Sequence, residues 1–290
     1  NLLKKIFGFA GWTFLGNTAG ILNSQGVNIL TNMFFGVNVN AARGIAEKVS
    51  AVMTQFVNNF MTAMNPQITK SYAQGDYKYM RQLMYSGARL SCYLLLFFAV
   101  PIGFEADSFL KLWLKIVPDY TVVFVRWTLA SSLCLVVGNS ILTALLATGN
   151  IKRYQIIIST IAIIEFPITI VAFKMGYSPS VAYILYFVMY FTLIFVRYKL
   201  VRHEVDIDFS GYVIDVVFRV MLVTLVASIV PLVILLNIDY SPSRFIVNTI
   251  VCVISVAFSV WMIGLSKVEK SFVREKVQRW YYKRITNKEK

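Results

Sequence analysis

The chain has 290 residues, of which 58% are hydrophobic and only 14% are charged, and its mean hydropathy is +0.66. A soluble globular domain is closer to half apolar and a quarter charged, so this composition excludes an ordinary soluble fold. The net charge is +14 at pH 7. We interpret it as membrane orientation and attraction to anionic lipid head groups, and we predict no nucleic-acid partner.

Long apolar runs predict an all-α, polytopic membrane helix bundle. A helix needs about 20 apolar residues to cross a bilayer, whereas the strands of a membrane β-barrel alternate over about 10 residues. These runs are continuous, and eight stretches are long enough. In chain order they run from Phe7 to Phe35, Asn40 to Thr69, Arg81 to Phe104, Tyr120 to Thr148, Tyr154 to Phe173, Pro179 to Val196, Val216 to Leu236 and Phe245 to Leu265.

The short connections between these runs carry an alternating charge pattern. Most of the 28 Lys and Arg residues lie at the two ends of the chain and in the connections after the second, fourth and sixth runs. The positive-inside rule therefore predicts that both ends face the cytoplasm. In the tail, Val273, Val277, Trp280 and Tyr281 share one side at helical spacing. This spacing fits an interfacial amphipathic helix, and a solvated basic tail that only anchors the last span is the alternative.

The first two predicted spans carry polar residues that lipid disfavours. When each span is wound as a helix, its polar residues cluster on one side. The first set is Thr13, Asn17, Ser24, Gln25, Asn28, Thr31 and Asn32, and the second is Arg43, Glu47, Ser50, Thr54, Asn58 and Asn65, with Lys48 on its flank. A short link joins the two spans, so we expect antiparallel neighbours whose polar sides line one lumen.

Two explanations of these polar sides remain open. A charge at the centre of a span costs about 2.5–3.5 kcal/mol on insertion scales and usually faces a bundle interior or water, which favours a water-filled cavity. The alternative is dry packing, in which polar side chains join neighbouring helices at about 0.6 kcal/mol per contact. Two or three polar residues per helix would need only packing. Because these helices carry many more, we predict a cavity.

Three further ionisable residues lie inside predicted spans. Arg126 lies in the fourth span and Arg89 in the third, while Glu165 is near the centre of the fifth. Pro167 follows Glu165 closely, and a proline inside a helix frees a backbone carbonyl and can kink the helix. We interpret Glu165 either as a proton or cation coupling site or as a structural partner for Arg89.

Metal and cofactor chemistry is not indicated by the cysteine and histidine content. Cys92, Cys134 and Cys252 lie far apart in apolar runs, and the single histidine, His203, lies among charged residues in a connection. Neither arrangement has the spacing of a metal site or of a disulfide framework. We therefore predict free thiols, no metal site and no cofactor.

Four stretches, taken in their order and spacing, carry a family resemblance. They are "VNAARGIAEKV", "NFMTAMNPQITKSYAQGD", "FLKLWLKIVPDYTVVFVRW" and "LLATGNIKRYQ". With these stretches the chain resembles bacterial polysaccharide flippases of the Wzx type, which belong to the multidrug/oligosaccharidyl-lipid/polysaccharide exporter superfamily. The likeness extends from about Gly8 to Leu200.

The resemblance implies an architecture. The family fold has two six-helix lobes around a central cavity, sometimes with two extra C-terminal helices, and it alternates between inward-open and outward-open states. By this comparison, residues 1–205 form one six-helix lobe, residues 206–265 form the extra pair and residues 266–290 form a basic cytoplasmic amphipathic tail. The chain begins with Asn1, and we expect it to be the C-terminal portion of such a transporter, without the N-terminal lobe.

The resemblance also implies a function. It is the movement of an undecaprenyl-pyrophosphate-linked oligosaccharide between the leaflets of the bacterial cytoplasmic membrane, with other polysaccharide-assembly proteins as possible partners. Such movement makes and breaks no bond, so we do not expect an enzyme. Arginine gives bidentate phosphate contacts, so Arg43 and Arg126, with Lys48, are the expected diphosphate ligands. The rest of the cavity lining is expected to be Glu47, Asn17, Gln25, Asn28, Asn32, Thr54, Asn58 and Asn65. The amides among them suit sugar hydroxyls, because they both donate and accept hydrogen bonds.

Three other functions are the alternatives. A cation-coupled multidrug exporter of the same superfamily would favour acidic and aromatic cavity residues, whereas the predicted cavity charges are mainly basic. A membrane polysaccharide polymerase or ligase would need a large external loop, and the connections here are short. A scaffold role is the third alternative.

Overall fold

The computed structural model describes residues 2–202, 204–205 and 207–286, and every regular element among them is a helix. The helices are α1 (Leu2–Ala73), α2 (Tyr77–Phe104), α3 (Ala106–Trp113), α4 (Thr121–Ala147), α5 (Lys152–Lys174), α6 (Ser180–Val201), α7 (Phe209–Tyr212), α8 (Arg219–Asn237), α9 (Pro242–Ser259) and α10 (Lys267–Thr286). π-Helical segments, Val213–Phe218 and Val260–Gly264, precede α8 and follow α9. His203 lies outside the described residues, as do the side chains of Val277, Trp280 and Tyr281.

Six of the described segments are long and apolar enough to span a membrane, so the chain has the character of a membrane protein. They are α2, α4, α5, α6, Ser210–Asn237 and Pro242–Gly264, and they coincide with the last six predicted spans. The predicted total of eight is not confirmed. The first two predicted spans both lie in α1, where the many polar residues lower the apolar content that a span requires.

Local sequence signals explain where two of these helices begin. The carboxylate of Asp76 accepts a hydrogen bond from the backbone N–H of Tyr79 at 3.0 Å, which caps the start of α2. At α9, the hydroxyl of Ser241 accepts from the N–H of Arg244 at 3.1 Å, and Pro242 occupies the first turn. Both caps satisfy backbone donors that a helix start leaves without partners.

Helix α1 is broken into two arms at Gly36. The backbone there has φ 81° and ψ −179°, which is not helical. A guanidinium nitrogen of Arg43, Nη2, lies 3.2 Å from the carbonyl oxygen of Ser24. In a straight helix these two residues would be about 28 Å apart along the axis, so the chain must fold back at Gly36. The first arm (residues 2–35) and the second arm (residues 37–73) are therefore neighbours, as the short link predicted.

We expect Gly36→Ala to destabilise the protein by about 1–3 kcal/mol, because a residue with a Cβ is strained at this positive φ. Gly44→Ala is the matched control. A Cβ built at either glycine meets no atom within 4 Å, and only Gly36 has a positive φ. Replacing a helical glycine by alanine is neutral or stabilising. The midpoint temperature of thermal unfolding in detergent measures the stability of both variants. Equal midpoints for the two would contradict the strain argument.

The two arms of α1 pack against different helices. The first arm runs parallel to α5, with Phe35 against Phe173 at a ring distance of 4.8 Å near one end. The second arm runs parallel to α4, where Thr143 donates to the side chain of Asn65 at 3.0 Å. α6 packs on α4 and continues to Val201, beyond its predicted end. Arg197, predicted to lie in a connection, is therefore a buried helical residue.

The helix pair α8–α9 packs on α2 and is joined to it by a buried charged cluster. Glu105, between α2 and α3, is only 2% exposed. Its carboxylate accepts a hydrogen bond from Arg244 at 3.2 Å, from Asn248 at 2.7 Å and from Ser108 at 3.1 Å. A buried carboxylate is stable only with such partners, because removing an ion from water costs several kcal/mol. The sequence analysis did not single out Glu105.

A second ionic contact joins α2 to α10 and corrects one prediction. Arg89 donates to a carboxylate oxygen of Glu269 at 2.7 Å and to the carbonyl oxygen of Asp215 at 3.3 Å. The proposed structural pairing of Arg89 with Glu165 is wrong, since Glu165 accepts instead from Asn23 at 3.0 Å. Arg89 thus contacts the π-helical segment Val213–Phe218, which is 126 residues away along the chain at Asp215.

The pKa of the Glu269 carboxyl is the net result of opposing effects. Partial burial raises it, but hydrogen bonding to the backbone N–H of Ser266 and the nearby Arg89 guanidinium outweigh burial and hold it below its usual range. Because the folded-state pKa is lowered, the stabilisation is complete above the ordinary carboxyl pKa. It is lost as the pH falls through the lowered value.

We therefore expect Glu269→Gln to lower the free energy of unfolding by about 2 kcal/mol at neutral pH and to match the wild type at acidic pH. Thermal unfolding across that pH range measures the difference. Glu275→Gln is the control, because Glu275 is exposed on α10 and pairs only with Arg279 among the described residues. An equal loss for Glu275→Gln, or a pH-independent loss for Glu269→Gln, would contradict this explanation.

Candidate functional site

A hollow of about 280 Å³, here called the polar pocket, lies between the two arms of α1 and helices α4, α5 and α6. Its polar lining consists of Asn23, Ser24, Arg43, Glu47, Ser50, Thr128, Ser131, Ser132, Tyr183, Tyr186 and Tyr190. The fold at Gly36 creates the pocket, because it brings two consecutive stretches of α1 to opposite walls. At about 30 Å³ per water molecule, the pocket holds a small charged group but not an oligosaccharide.

Arg43 is the buried cation of the pocket, with only 3% of its surface exposed. Its Nη2 contacts the carbonyl oxygen of Ser24 at 3.2 Å and a carboxylate oxygen of Glu47 at 2.9 Å. Its Nε and Nη1 are buried and have no hydrogen bond of good geometry to a described residue, although the Tyr186 hydroxyl interacts with the guanidinium. Glu47 is exposed at 56%, so water screens its charge more than that of Arg43. Two guanidinium nitrogens, which carry three N–H donors, are therefore available to an anion.

Tyrosine and serine hydroxyls form the rest of the polar wall. Tyr183, Tyr186 and Tyr190 recur at helical spacing on α6, and the ring of Tyr186 lies 5.9 Å from the guanidinium carbon of Arg43. The hydroxyls of Tyr183 and Ser131 are buried and have no hydrogen-bond partner among the described residues. Buried polar groups normally have partners. These unpaired groups are therefore positioned for water or a ligand inside the pocket.

Glu165 lies behind one wall of the pocket. It is 5% exposed and accepts from the side-chain amide of Asn23, which itself lines the pocket. The second carboxylate oxygen of Glu165 and the amide oxygen of Asn23 are buried without partners among the described residues. Two adjacent unpaired acceptors suit a bound proton or cation, so the coupling interpretation of Glu165 stays a prediction.

The structure gathers only part of the predicted site. Of the eleven predicted cavity residues, Arg43 and Glu47 line the polar pocket. The others lie on exposed or half-buried faces. Asn17, Gln25, Asn32, Lys48 and Asn58 are exposed, and Asn28, Thr54 and Asn65 are half-buried. Asn65 joins α1 to α4 by accepting a hydrogen bond from Thr143, whereas the exposed residues form hydrophilic faces on α1.

The sequence analysis predicted that Arg126 and Arg43 bind one diphosphate. In the structure the two residues line different hollows. Arg126 is exposed, and its Nε donates to the carbonyl oxygen of Gly103 at 3.0 Å. It lines a separate hollow of about 270 Å³ between α2, α4 and α8, with Thr224 and Ser228. Thr128, two residues along α4, faces the polar pocket instead. Neighbouring positions on one helix point to different sides, which explains the separation.

Sequence reasoning missed the aromatic wall of the site. Tyr183, Tyr186 and Tyr190 lie at i, i+3 and i+7 within an apolar run, and this spacing places them on one face. That stripe was a usable signal. Asn23 and Ser131 stand next to other polar residues, Ser24 and Ser132, but the sequence does not show which helix lies opposite them.

Among the described residues, no group of three or more His, Cys, Asp or Glu side chains is gathered as a metal site would require. Comparison of the chain with protein-family models, with curated proteins and with solved structures gives no match. The function of the polar pocket is therefore argued from its own geometry and chemistry.

Proposed function

We propose that this protein is a lipid flippase of the Wzx type. It would move an undecaprenyl-pyrophosphate-linked oligosaccharide from the inner to the outer leaflet of the bacterial cytoplasmic membrane by alternating access, with both chain ends in the cytoplasm. The observation that carries the proposal is the buried Arg43, whose Nε and Nη1 are available to an anion, in a hollow large enough for a diphosphate.

The physical problem of flipping is the charge of the head group. An isolated ion meets a cost of tens of kcal/mol in hydrocarbon, which makes unassisted transfer prohibitive. A guanidinium offers a planar fork of donors that matches phosphate oxygens. The hydroxyls of Tyr183 and Ser131 add donors on the facing walls. An inside-negative membrane potential favours outward movement of an anion by about 2.3 kcal/mol per charge per 100 mV.

The sugar would lie outside the polar pocket, since the pocket is too small for it. The hydrophilic faces of α1 offer amides such as Gln25, Asn32 and Asn58, all exposed. Amides both donate and accept hydrogen bonds, as sugar hydroxyls do. Exposed amides at bilayer depth would be costly against lipid, so this arrangement favours a water-filled path along α1.

Deleting the encoding gene in the host bacterium tests the function. We expect loss of surface polysaccharide together with accumulation of the diphosphate-linked intermediate in the inner leaflet. The wild-type gene should restore the polysaccharide, and Arg43→Gln at equal protein level should not. Normal surface polysaccharide in the deletion strain would overturn the proposal.

A cation-coupled multidrug exporter is the second candidate, and one observation favours it. The three tyrosines of α6 and the carboxylate of Glu47 line the pocket together, and aromatic faces attract organic cations. Against this, Arg43 already occupies a position near Tyr186 and would repel a cation. Accumulation of a fluorescent cationic dye in the deletion strain, reversed by the wild-type gene, would support the exporter over the flippase.

A further inference from the structure

A second hollow, here called the apolar groove, adjoins the polar pocket. Its volume is about 610 Å³, and it lies between the first arm of α1 and α5. Its walls are mostly aliphatic and aromatic, and they include Phe14, Leu15, Leu22, Ile163 and Phe166. Phe14, Leu22 and Ile163 expose more than 60% of their surface, so the groove is open along one side.

The apolar groove and the polar pocket share part of their lining. Asn23 and Ala162 line both hollows, so the two hollows adjoin at these residues. The hydrogen bond from Asn23 to Glu165 holds the Asn23 side chain at this junction. The buried cation and the open apolar surface are therefore neighbours on the same two helices.

Close helix packing forms one wall of the groove. A Cβ built at Gly26 would lie 2.5 Å from a ring carbon of Phe166, so the ring packs directly on the α1 backbone. At Gly11, which also lines the groove, a Cβ would meet nothing within 4 Å. The groove is thus packed at Gly26 and open at Gly11.

We infer that the apolar groove holds the isoprenoid chain of the ligand whose diphosphate lies in the polar pocket. This inference rests on the proposed function. An amphiphilic ligand needs an apolar surface beside a charged site, and Asn23 and Ala162 mark where the two hollows adjoin. Contact with the groove stabilises the complex in proportion to the apolar area buried, while the pocket selects the charged head group. Ordinary bilayer lipids would fill the groove without that selection.

The test compares two adjacent isoleucines of α5. Ile163 lines the groove, and Ile164 is exposed but does not line it. The full chain is purified in detergent, and binding of a long-chain polyprenyl diphosphate, of the uncharged polyprenol and of inorganic diphosphate is measured by native mass spectrometry. Ala19→Trp, from the opposite wall, is a second groove-filling variant beside Ile163→Trp.

We expect Ile163→Trp and Ala19→Trp to weaken binding of the polyprenyl diphosphate about tenfold, which is about 1.4 kcal/mol. Neither should change the binding of inorganic diphosphate, and Ile164→Trp should change neither ligand. Equal effects of Ile163→Trp and Ile164→Trp would overturn the groove assignment. Binding of the polyprenol as tightly as the polyprenyl diphosphate would overturn the placement of the head group in the polar pocket, and with it this two-part binding mode. Failure of both diphosphate ligands to bind the wild type would instead overturn the proposed function.

Discussion

Arg43→Gln is expected to weaken the binding of inorganic diphosphate by about a hundredfold. The reason is the loss of charged hydrogen bonds from a buried guanidinium, which are worth about 1.5–3 kcal/mol. The variant should fold normally, because the carboxylate left behind, Glu47, is exposed and is not trapped without water. Isothermal titration with the purified chain measures the affinity, and thermal unfolding confirms that the fold is retained.

Three control variants separate a specific site from a general charge effect. Lys48→Gln removes a positive charge from an exposed residue nearby that does not line the pocket, and it should have little effect. Arg43→Lys keeps the charge but not the planar fork, and we expect intermediate binding. Glu47→Gln removes the competing carboxylate and should tighten binding. If Lys48→Gln and Arg43→Gln weaken binding equally, the polar pocket is not the anion site.

Glu105→Ala is expected to produce the largest loss of stability, about 3–5 kcal/mol. Breaking a buried ion pair by removing one partner leaves an uncompensated charge in a low-dielectric site. The charge left here is Arg244, and Asn248, which is 0% exposed, would lose its acceptor as well. Thermal and denaturant unfolding in detergent measure the effect. The helix pair α8–α9 should separate from α2 first, which protease accessibility of the connection between α8 and α9 would report.

Asp107→Ala is the matched control, two residues along the chain. Asp107 pairs with Lys111 at 2.6 Å, but both side chains are more than half exposed. Exposed pairs are screened by water and contribute little, so this variant should unfold like the wild type. Glu105→Gln should fall between the two, because it keeps an oxygen acceptor without the charge. A Glu105→Ala protein as stable as Asp107→Ala would show that the buried cluster does not hold the helix pair.

The helices themselves were largely predictable from the sequence. The last six predicted spans coincide with segments that can cross a membrane, because an apolar run of sufficient length forms a helix wherever its neighbours lie. The predicted break between the first two spans, after Phe35 and before Asn40, coincides with the observed break at Gly36. Glycine tolerates the positive φ found there. Helix ends were less certain, and α6 extended past its predicted end because Arg197 finds a hydrogen-bond partner in Tyr154.

The candidate site was predictable only in part. Periodicity correctly placed Arg43 and Glu47 on a polar side of α1, and both line the polar pocket. It could not show that Arg126 faces another hollow, that Arg89 pairs with Glu269, or that Asn65 packs against α4. Each of these outcomes depends on which helix lies opposite. Polar groups in a membrane helix take whichever partner packing brings near.

The sequence by itself determined that the chain is membrane-like, that it is helical and which side of each helix is polar. These properties depend on local composition and on the backbone's need for internal hydrogen bonds in lipid. The tertiary structure alone decided which residues meet. It brought Arg43 beside Ser24 by folding α1 at Gly36, set the tyrosines of α6 against it, and joined Glu105 to Arg244 across 139 residues. Such contacts arise from packing between distant segments, which no local pattern specifies.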